Sequence, residues 1–166
     1  MILGMTTSTF TFVHVLLSLV GIGTGFVVMY GLLAGKRLDG WTAIFIVSTV
    51  ATSVTGFAFP FEHLLPSHIL GIISLLVLAV AIPARYVFHL AGAWRWIYVA
   101  GAAAALYFNV FVGVVQAFLK IPGLNALAPT QKEPPFLIAQ LIVLAIFVAL
   151  TIMALKRFRI EVVRTA

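Results

Sequence analysis

The chain has 166 residues, of which 63% are hydrophobic and 8% charged, and it contains no cysteine. That composition excludes a water-soluble domain, and the missing cysteine excludes disulfides, thiolate metal centres, iron–sulfur ligation and cysteine nucleophiles. The formal net charge of +6 points to anionic lipid headgroups rather than nucleic acid, because the basic residues border apolar runs.

Apolar runs at 10–34, 41–59, 67–90, 94–119 and 136–155 match the roughly 20 helical residues that cross a hydrocarbon layer. The predicted fold is therefore all-α, a polytopic membrane bundle of five transmembrane helices forming one domain over residues 1–166. The first run has no basic n-region and is too long for a signal h-region, so it reads as a retained span. Within it Gly21 and Gly25 stand four residues apart, as do Gly31 and Gly35, a spacing that lets helices approach closely in lipid. Gly35 and the Asp39-Gly40 pair mark the first corner. Run two repeats the small-residue device with Ser48, Thr52 and Gly56, whose hydroxyls can also bond across helices. Pro60 and Pro66 bracket the next turn, and Pro83 is expected to kink run three one turn before its end. The Leu90-to-Ala93 corner is tighter still. Run four carries Asn109, Gln116 and Lys120 on one stripe with Gly113. An unpaired amide is costly in hydrocarbon, so Asn109 should bond to another helix, with the Ser and Thr stripe of run two as partner. The connection 120–135 is the longest, and its Ile121, Leu124 and Leu127 predict a short turn lying in the interface.

Lys36, Arg37, Arg85, Arg95, Lys156, Arg157, Arg159 and Arg164 fall on one side of this topology, and only Lys120 and Lys132 on the other. The positive-inside rule then predicts a multi-pass inner-membrane protein with its amino terminus outside and its carboxyl terminus inside. Trp41, Tyr86, Trp94, Trp96 and Tyr98 gather at the same inner boundary, as interfacial aromatics do. Leu33-Ala34-Gly35 and Leu90-Ala91-Gly92 end runs one and three alike, a short repeat that would make the first two hairpins parallel equivalents.

The segments FAFPF (57–61), YVFHLAGAWRW (86–96) and KIPGLNALAPTQKEPPF (120–136), together with the first span around His14, resemble a family of small bacterial polytopic inner-membrane proteins with no established activity. The resemblance implies an inner-membrane location and transfers no catalytic residue.

His14, His63 and His68 share the outer side with Glu62, and the repeat puts His14 and His68 at similar depth on helices of one direction. Such a pair could be axial ligands of a b-type haem or hold a metal, with Glu62 adding an oxygen ligand, or the rings could simply sit at the interface. His14 and Ser18 with Asn109, Gln116 and Gln140 suggest an outer-leaflet pocket for a quinone or other amphipathic ligand. No Ser-His-Asp group, HExxH or phosphate-cradling loop is present, so an enzyme acting alone is the least supported class. The small-residue faces favour a non-catalytic accessory or structural subunit, partnered by lipid, other membrane subunits or further copies of itself. An electron-transfer subunit and a small transporter or channel are the alternatives.

Overall fold

The computed structural model describes residue 2, residues 4–59 and residues 66–159, without the side chain of Pro66. Glu62, His63 and Arg164 lie outside the described residues. Every regular element among the described residues is a helix: α1 (Thr7–Leu33), α2 (Asp39–Gly56), α3 (Pro66–Tyr86), α4 (Ala93–Lys120), the short α5 (Pro122–Leu127) and α6 (Pro134–Arg157).

Local chemistry sets most boundaries. α1 starts at Thr7, three residues before its apolar run, because the Thr6 hydroxyl caps it by accepting from the Thr9 amide at 3.2 Å. At its other end Gly35 adopts φ +68°, the left-handed conformation that a chain reversal needs and glycine supplies at least cost. α3 stops at Tyr86 rather than running on to 90. Pro83 sits inside its last turn, and the Val87 and Phe88 amides both return to the Pro83 carbonyl at 2.9 Å. His89, Leu90 and Gly92 then take positive φ, and Leu90, 1% exposed, plugs the corner into the core.

Contacts along the helices establish their directions. Between α1 and α2, His14 meets Thr55, and a Cβ on Gly25 or Gly31 would touch Phe45 or Leu38 respectively. The pair is an antiparallel hairpin. The same descending register pairs Ser53 with Ser74 for α2 and α3, Gly101 with Ala81 for α4 and α3, and Phe118 with Phe136 for α4 and α6. Thus α1, α3 and α6 run one way and α2 and α4 the other.

The core is narrow and the perimeter apolar. α6 buries Phe136, Gln140, Phe147 and Ala154, a single seam at close to heptad spacing, and leaves Leu137, Ile138, Leu141, Ile142, Ile146 and Val148 at least half exposed. A surface this apolar is stable only in hydrocarbon. Four helices, α1, α3, α4 and α6, are long and apolar enough to cross a membrane. α2 has 18 residues, about 27 Å of helix, and is richer in hydroxyls. The chain is an all-helical, multi-pass membrane protein.

At the end of the bundle away from His14, Arg85 is not the flanking residue that its place in the sequence suggests. Its side chain is 2% exposed, forms an ion pair with Asp39 at the start of α2, and has its guanidinium carbon 4.9 Å from the Tyr98 ring centre. Arg37 Nε approaches the same carboxylate at 3.7 Å. Removing one partner of a buried ion strands the other. Asp39 is largely exposed and screened, so Asp39→Asn is expected to cost about 2 kcal/mol, below the usual range for a fully buried pair. Arg37→Gln should cost about 0.5 kcal/mol or less. Thermal unfolding in detergent, followed by helical circular dichroism, checks both.

Candidate ligand-binding pocket at the His14 end

A cavity of about 600 Å³ opens between α1, α2, α3 and α4 at the end where α1 begins. Its apolar walls come from Val15, Leu19, Ile22, Leu70, Phe108 and Val112 with Phe57 and Phe59, and its polar groups include Thr11, His14, Ser18, Thr52, Ser53, His68, Ser74, Asn109, Gln116 and Lys120. Glycines make the space. Gly56, Gly71 and Gly113 line it, and a Cβ on Gly113 would meet only the Ile22 Cδ1 at 3.6 Å.

Each polar side chain is placed by its helix. His14 Nδ1 is 2.8 Å from Thr55 Oγ1, and the Thr55 hydroxyl donates to the Ala51 carbonyl at 2.7 Å. With that proton committed to the backbone, Thr55 can only accept from Nδ1–H, which leaves Nε2 of the neutral ring as an acceptor. The His14 ring also packs edge-on against Phe59, centroids 5.2 Å apart. His68, 5% exposed, stacks on Phe57 at 5.6 Å. Gly71 lies beneath that pair, since a Cβ there would stand 3.2 Å from Phe57 Cζ.

Asn109 donates from Nδ2 to Thr49 Oγ1 at 3.1 Å, so the amide meets the hydroxyl stripe of α2 and keeps its second N–H and its carbonyl. Gly21 lies against this junction, where a Cβ would stand 3.3 Å from Asn109 Nδ2, Ser48 Oγ and Thr49 Oγ1. Ser18 donates to the His14 carbonyl at 2.9 Å and retains its lone pairs. The buried Thr52 hydroxyl has no hydrogen-bond partner among the described residues. Gln116 and Lys120 are exposed at the lip of the cavity.

The structure therefore brings His14, Ser18, Thr52, Gly56, His68, Asn109 and Gln116 from four helices to one cavity. Gln140 lies elsewhere: it is buried against α4 and donates to the Phe111 carbonyl at 3.2 Å. Ser48, Gly21 and Gly25 belong to the packing beneath the cavity. Among the described residues no group of three His, Cys, Asp or Glu side chains could hold a metal. Thr11, Ser53, Phe57, Phe59 and Ser74 were not among the expected pocket residues. His68, Gly71 and Ser74 follow one another at three-residue steps, a helical face that the sequence does display.

Near the same end the 120–135 connection is pinned by its own polar groups. Asn125 Nδ2 donates to the Phe118 carbonyl and Gln131 Nε2 to the Val115 carbonyl. Glu133 accepts from the Thr130 hydroxyl at 2.8 Å and from the amides of Thr130 and Lys132. These donors, the Thr130 hydroxyl first, hold its pKa below the ordinary 4.5. Because the folded pKa is depressed, its contribution is full above the unfolded value and is lost as pH falls through the folded one. Protection of the Thr130 and Lys132 amides, taken relative to their intrinsic exchange rates, should fall as the Glu133 carboxylate is protonated in acid, and Glu133→Gln should remove that dependence.

Compared with protein-family models, curated proteins and solved structures, the chain gives no match. Its fold and cavity define its class: a multi-pass helical membrane protein with an amphipathic pocket near one end.

Proposed function

We propose that this chain is a five-span inner-membrane protein that holds an amphipathic, quinone-like ligand in its outer-leaflet pocket as a non-catalytic component of a larger membrane assembly. The observation that carries the reading is the cavity itself. It offers one imidazole acceptor, several amide and hydroxyl groups and a lysine at its lip, all set in aromatic and aliphatic walls. Those groups suit a ring bearing hydroxyl or carbonyl oxygens, and the apolar walls suit its tail. A photoreactive short-tailed benzoquinone should label the 108–120 and 11–19 segments in saturable fashion. Labelling spread evenly over lipid-facing positions such as Val47 and Leu141 would remove the pocket from the account.

The outward amino terminus follows from the distribution of Lys and Arg, and α2 is taken as the fifth span because it packs antiparallel along α1. In intact cells a membrane-impermeant thiol reagent should modify Ala126→Cys and not Lys36→Cys; the reverse pattern inverts the topology.

The two histidine rings on one cavity also favour a second reading, an electron-transfer subunit with haem b or a metal held between them. With Nδ1 of His14 fixed by Thr55, its Nε2 has the lone pair that ligation requires. A reduction-sensitive Soret band lost in both His14→Ala and His68→Ala would establish the haem form, and a colourless, metal-free preparation from native membranes would exclude the ligated form.

A further inference from the structure

A second cavity, of about 880 Å³, lies at the opposite end of the bundle, where the chain turns from α3 into α4 and α6 ends. Its lining includes Arg95, Lys156 and Arg159, with His89, Trp96 and Ile152. We infer that this cavity is a binding site for a phosphate group carried by an anionic phospholipid, separate from the ligand pocket and independent of its occupant.

The site is shaped by backbone as well as charge. Positive φ at His89, Leu90 and Gly92 closes the corner within a few residues, and Phe88 stacks on Trp94 with ring centroids 3.9 Å apart. Arg95 donates from Nη1 to the carbonyl of Phe158, itself 1% exposed, which ties the start of α4 to the end of α6. Its guanidinium carbon stands 5.2 Å from the Trp96 ring centre. One of its five N–H donors is used in this way, and the fork geometry of the rest suits phosphate oxygens. Lys156 and Arg159 are exposed and free to close on the same anion.

No carboxylate lines the cavity among the described residues. The described acids lie elsewhere: Asp39 is engaged by Arg85 and Arg37, and Glu133 is at the other end. Ile152, on the lipid-facing side of α6 and 47% exposed, places apolar surface beside the cations. A headgroup with acyl chains satisfies both parts, and clustered Lys and Arg near a membrane surface recruit such lipids.

The test uses the full chain in phosphatidylcholine nanodiscs doped with phosphatidylglycerol, with retained lipid counted by native mass spectrometry. Phosphatidylglycerol should be retained over phosphatidylcholine, with affinity falling about fivefold for each cation neutralised and about 25-fold in K156Q/R159Q. K36Q/R37Q, which removes charge at the same end outside the cavity, should retain it fully. Because Arg95 also holds the end of α6, K156Q/R159Q carries the test if R95Q fails to fold. Displacement by millimolar inorganic phosphate would show that the site reads the phosphate group alone; resistance to it would show that the acyl chains contribute. Equal retention of the two lipids, or an equal loss in K36Q/R37Q, would overturn the inference.

Discussion

Gly25→Val is expected to be the most damaging single change in the bundle, lowering stability by about 3 kcal/mol or more. A Cβ at Gly25 would stand 2.5 Å from Leu106 Cδ1 and 2.9 Å from Phe45 Cε2. Leu106 and Phe45 are each 1% exposed, so neither has space to retreat into. Three helices, α1, α2 and α4, meet at this one missing side chain, and separating them loses packing, which is the principal attraction between helices in lipid. Gly23→Val is the control. A Cβ there would meet nothing within 4 Å, so it should leave the unfolding midpoint within about 0.5 kcal/mol of the parent. Titration with a denaturing detergent, followed by helical signal, separates the two variants.

The second large effect is on binding. Asn109→Leu keeps the side chain's approximate volume and removes the amide that bridges the hydroxyl stripe of α2 and the cavity. The affinity for a short-tailed benzoquinone should fall about tenfold or more, the worth of one or two hydrogen bonds in a dry site. Stability should fall by only about 1 kcal/mol, since Thr49 loses its partner but no cavity opens. His14→Phe keeps an aromatic ring against Phe59 and should weaken binding similarly through loss of the Nε2 acceptor. Equilibrium binding in detergent, with unfolding measured in parallel, distinguishes a lost contact from a lost fold. Lys120→Gln at the exposed lip should have the smaller effect, because a solvated ammonium contributes little.

The helices were legible because apolar runs of membrane length allow few other readings, and the short corners impose antiparallel neighbours. Depth was legible too. Counting residues from the ends of the runs places His14, Ser18, Asn109 and Gln116 toward one end, and the structure brings them to one cavity. Azimuth was not. Gln140 has the right depth on α6, but α6 packs along α4 through its 140, 147 and 154 seam, and this turns the amide toward Phe111 and away from the cavity. A rotation of this kind depends on which neighbour a helix chooses, and an apolar run that is nearly uniform around its circumference carries little information about it. Arg85 shows the same limit for charge. Its position after Pro83 reads as a flank facing water, whereas its partner Asp39 is 46 residues away and meets it only once α2 and α3 are packed. The small residues announced α1 and α2 through Gly21, Gly25 and Ser48. The equally close approach of Gly101 to Ala81 lies among alanines, where no spacing stands out.

The most direct test of the pocket compares what wild-type protein and Gly113→Leu carry out of native membranes. Leucine is the better helix former, and its Cβ meets only an ordinary contact from Ile22 at 3.6 Å, so the variant should fold while its side chain fills the cavity. Small molecules extracted from each preparation are identified by mass spectrometry. One amphipathic species with an oxygen-bearing head is expected at near one per chain in the wild type, and its loss is expected in Gly113→Leu with bulk phospholipid unchanged. Identical small-molecule profiles from two equally stable preparations would contradict it.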